Sequence, residues 1–284
     1  MSETILANEP TIRLAAFLGV LAAMALWEVV APRLRREIPR VVRWTNNFAL
    51  VVLDTVILRL SFPILAVSLA VTAEDRGWGL LNTLDLPVGI AIIVAMLVLD
   101  LAIYLQHVMF HAVPGLWRLH RMHHADLDFD ATTGLRFHPV EILISMGIKL
   151  GVVAALGPPA IAVLLFEVIL NATALFNHAN IDLPRPLDRW LRWIVVTPDM
   201  HRVHHSVDPR ETNSNFGFNL PWWDRLLGTY VAQPAKGHEG MDVGIDQFRN
   251  RRELWLDRML LQPFRGRAGG GALEARYRAK PPQD

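Results

Sequence analysis

Apolar positions along this chain gather into long runs separated by short polar segments. The first, from Ile12 to Ala31, is nearly unbroken and is interrupted late by Glu28. A second spans Phe48 to Thr72 and contains Asp54, Arg59 and Pro63, and a third opens at Pro87 and reaches Gln106, with Asp100 near its end. Pro139 to Leu156 and Ala160 to Phe176 are apolar again, parted by the strong breaker Gly157-Pro158-Pro159. About 20 apolar residues carry a helix across a bilayer. The pattern therefore predicts an all-α integral membrane helical bundle with about four crossings, its last pair either an outward-and-back hairpin whose arms are barely long enough to span or a shallow re-entrant one. Charged groups inside a span are costly and turn toward one another, so Asp54 is expected to pair with Arg59.

The polar segments orient the bundle. Arg33, Arg35, Arg36, Arg40 and Arg43 follow the first run, and the positive-inside rule places them in the cytoplasm with the N-terminus outside. Glu74, Asp75, Arg76 and Asp85 then fall on the outer side, and the later polar segments form a cytoplasmic cap. Between Pro186 and Val196, Leu187, Trp190, Leu191 and Ile194 share one helix face while Asp188, Arg189 and Arg192 share the other. That arrangement suits a helix lying in the membrane interface or one packed on the core. Three regions result: N-terminal membrane helices (1–86), a membrane-plus-cap region (87–262), and a Gly-, Arg- and Pro-rich tail (263–284) expected to be disordered. Hydrophobic residues make up 52% of the 284 and charged ones 19%, which supports the membrane assignment. A net charge of +1 excludes bulk-charge attraction to nucleic acid. There is no cysteine, so disulfides, Cys-ligated iron–sulfur clusters and a cysteine nucleophile are excluded.

Candidate chemistry lies in the histidines. His107 and His111 are four apart; His120, His123 and His124 follow as H-R-M-H-H, and His201, His204 and His205 as H-R-V-H-H. On a helix each set shares a face. Neutral imidazole binds Zn, Cu, Fe or Ni, and this many exceed what one tetrahedral ion uses, so the pattern points to two transition-metal ions. Of 11 histidines only His238 lies outside the interval from His107 to His205.

The pattern H-x3-H, H-x2-H-H and a later H-x2-H-H among membrane spans resembles the fatty acid hydroxylase / sterol desaturase superfamily. Arg136-Phe-His138-Pro139-Val-Glu141, Phe176-Asn177-His178-Ala-Asn180, and Asn215-Phe-Gly217 with Trp223-Asp224-Arg225 through Tyr230 add to the likeness, which covers roughly residues 90–235. The resemblance implies a membrane-bound non-haem di-iron oxygenase, an oxidoreductase that uses O2 and external electrons to hydroxylate or desaturate a lipid C–H bond. It implies as ligands His107, His111, His120, His123, His124, His178, His201, His204 and His205, with two iron ions, replaceable by zinc on purification. His138 would be a further ligand or a hydrogen-bond partner behind them. Some members have a second H-x3-H where this chain has His178 and, four residues on, Asp182.

Groups expected to fix the imidazole tautomers are Asp126, Asp128, Glu141, Asn177, Asp199, Asp208 and Asn213, while Phe110, Trp117, Phe129 and Phe137 either line a lipid path or pack the core. No dinucleotide or P-loop fingerprint is present. No redox domain is recognisable, so a separate ferredoxin- or cytochrome-type donor is expected, steered by Arg118, Arg121, Arg202 and Arg210 or leaving these to lipid phosphates. The rival readings are a zinc hydrolase, which needs only three protein ligands, and a non-catalytic metal carrier, whose ligands belong at midplane depth.

Overall fold

A computed structural model describes residues 2–267, and the described chain is nearly all helical, with two isolated bridges, Pro32 to Ile181 and Ser206 to Val243. Among the described residues five helices are long and apolar enough to cross a membrane, and they include both arms of the expected hairpin. They are α1 (Glu9–Val30), α2 (Arg40–Ser61), α4 (Val88–Ala112), α6 (Pro139–Leu156) and α7 (Ala160–Asn177). The second apolar run is not one helix. Pro63 has no amide hydrogen to donate and pushes Phe62 into extended backbone, so the chain breaks and resumes as α3 (Ala66–Arg76), packed on α6 and α7.

α7 is the hub. Half of its most apolar window (50%) is buried, against 17 to 28% for the other spans, and α1, α3 and α4 all pack on it. At the far end of the bundle the hairpin tip is tight: Gly157 adopts φ +60, and a Cβ there would stand 2.1 Å from the Trp78 carbonyl oxygen. Only glycine fits.

The ends that meet at the other side carry the cap. Glu28, fully buried near the end of α1, accepts from the amides of Ala131 (2.8 Å) and Asn180 (3.0 Å) and pairs with Arg40 (2.7 Å) and Arg36 (3.2 Å). Arg43 lies in a fully buried polar knot with Asp126, Asp130 and Thr133. Burial alone would raise the Asp126 carboxyl, but the Arg43 and Arg136 guanidiniums hold it down to about 2. The arginine cluster after α1 therefore sits at the cap end and ties loops from distant parts of the sequence to the membrane helices.

Two charged-residue expectations are corrected. Asp54 is buried, with Oδ1 lacking a hydrogen-bond partner, and Arg59 is exposed, so they form no ion pair. Five residues apart on a helix they stand about 140° apart, on different faces. Arg121 and Arg202 are fully buried, Arg121 on the carbonyls of Gln262, Arg265 and Arg267 and Arg202 on Asp199, so neither is available to steer a partner. Arg118 likewise donates to the Pro263 and Gly266 carbonyls, both at 3.0 Å. These bonds hold residues 263–267 against α5 (Pro114–His124); residues 268–284, most of the expected tail, lie outside the described residues.

The Pro186–Val196 segment forms α8 (Arg185–Leu191) and a following turn. Asp188 and Arg192 are buried against each other, whereas Trp190 is 75% and Ile194 65% exposed. Charge inside and apolar groups outside reverse the pattern of a helix in water and match one at the headgroup boundary. Trp193 and Trp222 extend the apolar face, joined by a 2.7 Å bond from the Trp222 indole to the Trp193 carbonyl.

Candidate metal centre

The nine histidines arrive from four places in the fold. His107 and His111 occupy the last turns of α4, which continues past the apolar run to Ala112; His120, His123 and His124 end α5; His178 caps α7; and His201 and His204 lie on α9 (Pro198–His204), with His205 at its end. They gather into two adjoining groups. His107, His111, His120, His124 and His204 each bring a ring nitrogen within 4.8 Å of the others, and so do His123, His178, His201 and His205. The groups touch through His124 and His205, stacked at 4.6 Å. The two H-x2-H-H motifs thus divide between groups: the i+3 and i+4 side chains of each point to opposite sides of the shared boundary.

The outer nitrogens of five rings are tied to acceptors. Nδ1 of His107 meets the Phe216 carbonyl at 2.8 Å, His204 the Ser214 carbonyl at 2.7 Å, His178 the Ala174 carbonyl at 2.8 Å, His120 the Glu141 carboxylate at 2.7 Å, and His111 Oδ1 of Asn213 at 3.2 Å. A carbonyl or carboxylate can only accept, so Nδ1 carries the proton and Nε2 presents a lone pair inward. Those lone pairs then meet. Nε2 of His107 and His120 are 3.1 Å apart, and Nε2 of His178 and His201 also 3.1 Å. In the first pair both nitrogens are lone-pair atoms by this assignment, an arrangement that repels unless a cation lies between them. Nitrogens on one ion with bonds of about 2.0–2.1 Å stand about 3.0–3.4 Å apart. Further ring nitrogens of His123, His124, His201, His204 and His205 are buried without a hydrogen-bond partner. The donor set fits two metal ions.

The electrostatics agree. Burial pushes His120 and His178 down to about 3, and burial with neighbouring imidazoles pushes His123, His124, His201, His204 and His205 well below the ordinary histidine range. All are neutral at physiological pH, as ligands must be.

The loop after α9 aims two of the carbonyls. Asn215 takes the left-handed conformation (φ 50) and its side chain bonds the backbone of Met200 and Val231. Asp224, on α10 (Trp222–Leu226), accepts from the amides of Phe216 and Gly217, both at 2.7 Å. The Asn-Phe-Gly and Trp-Asp-Arg stretches thereby direct Ser214 and Phe216 toward His204 and His107. At Gly134 a Cβ would stand 2.6 Å from the Ala174 oxygen and 2.9 Å from His178 Nδ1, so glycine admits the loop after α5 to the His178 ring.

The structure does not bring His138 to either group. Its Nδ1 accepts from the Val140 amide as the cap of α6, and its Nε2 faces the Leu260 carbonyl at 3.3 Å. His238 is also apart, 3.6 Å from Asp199. Of the seven groups expected to fix tautomers, Glu141 and Asn213 contact the rings; Asp126 and Asp199 bind arginines, Asp128 the Glu37 and Ile38 amides, Asp208 caps a turn, and Asn177 donates to the Phe218 carbonyl. The carbonyls of Phe216, Ser214 and Ala174 had no signal in residue type. Trp117 and Phe137 pack directly on the rings, Phe137 stacked on His123 at 4.8 Å and Trp117 tilted against His111 at 4.8 Å. Glu141→Gln replaces an acceptor carboxylate with an amide; it is expected to weaken metal affinity about 10- to 100-fold, read by competition with a chromophoric chelator.

Residues 92–229 match the family model for fatty acid hydroxylase. The chain is 31% identical over 160 residues to an ornithine lipid hydroxylase of Rhizobium tropici (56% of this chain, 46% of that protein). It is 32% identical over 154 residues to an alkylglycerol monooxygenase of Xenopus tropicalis (52% and 32%), and 26% identical over 149 residues to a cholesterol 25-hydroxylase of Rattus norvegicus (50% and 47%). The matched stretch covers less than half of each of these relatives. No solved structure matches.

Proposed function

This chain carries a domain of the fatty acid hydroxylase family, and we propose that it is a membrane-bound di-iron oxygenase that hydroxylates a lipid. The inward convergence of neutral imidazole lone pairs into two adjoining groups supports this reading most directly. The three relatives are each a hydroxylase or monooxygenase by name, which favours hydroxylation over desaturation. Overall, a C–H bond becomes C–OH while O2 takes up two electrons and two protons and releases water. Two iron ions bound here would supply the redox chemistry that activates O2.

The chain's own residues do the rest. His107, His111, His120, His124 and His204 would hold one ion, and His123, His178, His201 and His205 the other. Glu141, Asn213 and the Phe216, Ser214 and Ala174 carbonyls keep the tautomer and angle of His120, His111, His107, His204 and His178. Phe137, Trp117 and Phe129 shield the rings from water. The arginine-rich end of the bundle carries the histidines, and by the positive-inside rule that end is cytoplasmic, where a ferredoxin- or cytochrome-type donor would dock. All-imidazole coordination leaves the metal charge unneutralised, whereas a hydrolytic zinc site needs three protein ligands and water.

The test is lipid mass spectrometry on cells with and without the chain, joined to O2 uptake by purified protein given iron and a reductant. A product heavier by one oxygen, dependent on the reductant, is expected. A product lighter by two hydrogens would mean desaturation, and O2 consumption indifferent to reductant would overturn the reading.

A further inference from the structure

Residues 249–265 hold none of the metal ligands, yet they concentrate charge. They carry five arginines and two acids, Glu253 and Asp257, a net charge of +3 in a chain whose total is +1. Their centre is α11 (Leu256–Leu261). Its inner side is fixed: Met259 is fully buried against Leu50 of α2 and Met122 of α5, and the Leu256 amide donates to Asn46 Oδ1 at 2.8 Å. The outer side is apolar and open, with Trp255 49%, Leu261 48% and Phe264 72% exposed.

Two contacts set the depth of this face. Asn46 lies six residues into α2, about 9 Å from its cap end and two residues before the apolar run that begins at Phe48. Phe264 meets the His138 ring edge-on at 6.1 Å, and His138 caps α6 where Pro139 opens its apolar run. The exposed rings therefore stand where two spans enter the hydrocarbon. On the α4 side the Trp223 indole reaches Asp100 at 2.8 Å, which puts the face around Trp190 and Trp222 at membrane level as well.

The arginines are only partly paired. Arg265 holds Glu253 and Arg252 holds Asp257, each through two bonds. Arg258 shares Asp257 at 3.7 Å, and Arg249 and Arg251 donate to the Val243 and Glu37 carbonyls, which leaves their charge unneutralised. An acidic protein would complement that charge but not three large apolar groups level with the start of the spans. A leaflet surface complements both, since rings and leucine reach the acyl boundary while guanidiniums meet phosphates.

We infer that residues 249–265 are an in-plane membrane anchor that selects anionic phospholipid in the headgroup region of the arginine-rich side. The anchor is also a brace. Arg118 and Arg121 of α5 bond the Pro263 and Gln262 carbonyls, so the helix that carries His120, His123 and His124 is fastened to it. None of this depends on the reaction proposed above.

The chain has no cysteine, so Trp255→Cys and Leu261→Cys each give the full-length protein a single site for a bimane label. The metal-loaded protein is placed in nanodiscs of equal parts phosphatidylcholine and phosphatidylglycerol, one of the two carrying a quenching nitroxide near the headgroup end of its acyl chains. Val52→Cys, on the lipid-exposed side of α2, supplies the unselective reference. Quenching is expected at 255 and 261, with phosphatidylglycerol favoured there about five- to 25-fold over the reference, the worth of one or two arginines at a membrane surface. Adding Arg251→Gln and Arg258→Gln should lower that preference at least about fivefold while quenching persists, and high salt should lower it too. Labels at 255 and 261 that neither lipid quenches would place the segment in water and overturn the inference, and equal quenching by the two lipids would remove the anionic selection. Unquenched labels that become shielded on adding an acidic ferredoxin-type protein would give the surface to a protein partner instead.

Discussion

His204→Ala protein is expected to retain about one metal ion per chain of about two and to lose lipid oxidation altogether. His204 belongs to the group with His107, His111, His120 and His124, whereas His123, His178, His201 and His205 form the other. His123→Ala should strip the second group and leave the first, with the same loss of turnover. The reason is geometric: each H-x2-H-H motif gives its two adjacent histidines to different groups, so one alanine empties one site and the pair no longer acts as a unit. His138→Ala and His238→Ala provide the contrast. One caps α6 and the other faces Asp199, so both should keep full metal content by elemental analysis. If His138→Ala lost an ion while His204→Ala did not, the division of ligands would be wrong.

How far this centre could be read from residues alone depended on whether a contact is local. His107/His111 and the two H-x2-H-H sets are close in sequence, and helical periodicity alone puts their rings on common faces. His178 stands singly and was identified by likeness to the Asn-His segment of a family. His138, expected as a further ligand or as a hydrogen-bond partner behind the ligands, is neither: Pro139 begins a helix, and the preceding residue is used as its cap. Apolar length predicts about four crossings, against five spanning helices among the described residues. Neither the break at Pro63 nor the use of Arg118, Arg121 and Arg202 inside the protein follows from it. Arg118 and Arg121 bond backbone carbonyls about 140–150 residues away, and the burial of Arg202 on nearby Asp199 is a matter of tertiary packing. The carbonyls of Phe216 and Ser214 carry the same lesson. Any residue has a carbonyl, so only the left-handed turn at Asn215 and the grip of Asp224 reveal that these two are aimed at imidazoles. The motif letters were legible; their purpose was a backbone direction.

Metal-stripped protein should unfold at mildly acid pH, where the metal-loaded form persists. The sign follows from the direction of the shifts. Histidines free in the unfolded chain bind a proton near pH 6.5, whereas in the fold His120 and His178 do so only at about 3. Below about pH 6.5 the unfolded state therefore binds more protons, and stability falls as pH falls until the folded value is reached. Above that window both states are neutral and these residues contribute no slope. Each such group costs about 1.4 kcal/mol per pH unit, so His120 and His178 alone remove about 3 kcal/mol per unit, and the five rings held lower still add to it. That is a large share of the about 5–15 kcal/mol by which a domain is stable. Bound metal competes with the proton for the same lone pairs and should shift the fall to lower pH. Thermal unfolding in detergent at pH 8, 7, 6 and 5, with and without chelator, reads the effect as a midpoint that is flat above neutrality and drops steeply below it only in the chelated sample. A midpoint equally flat in both samples would mean that the nine rings are not buried together as a neutral cluster.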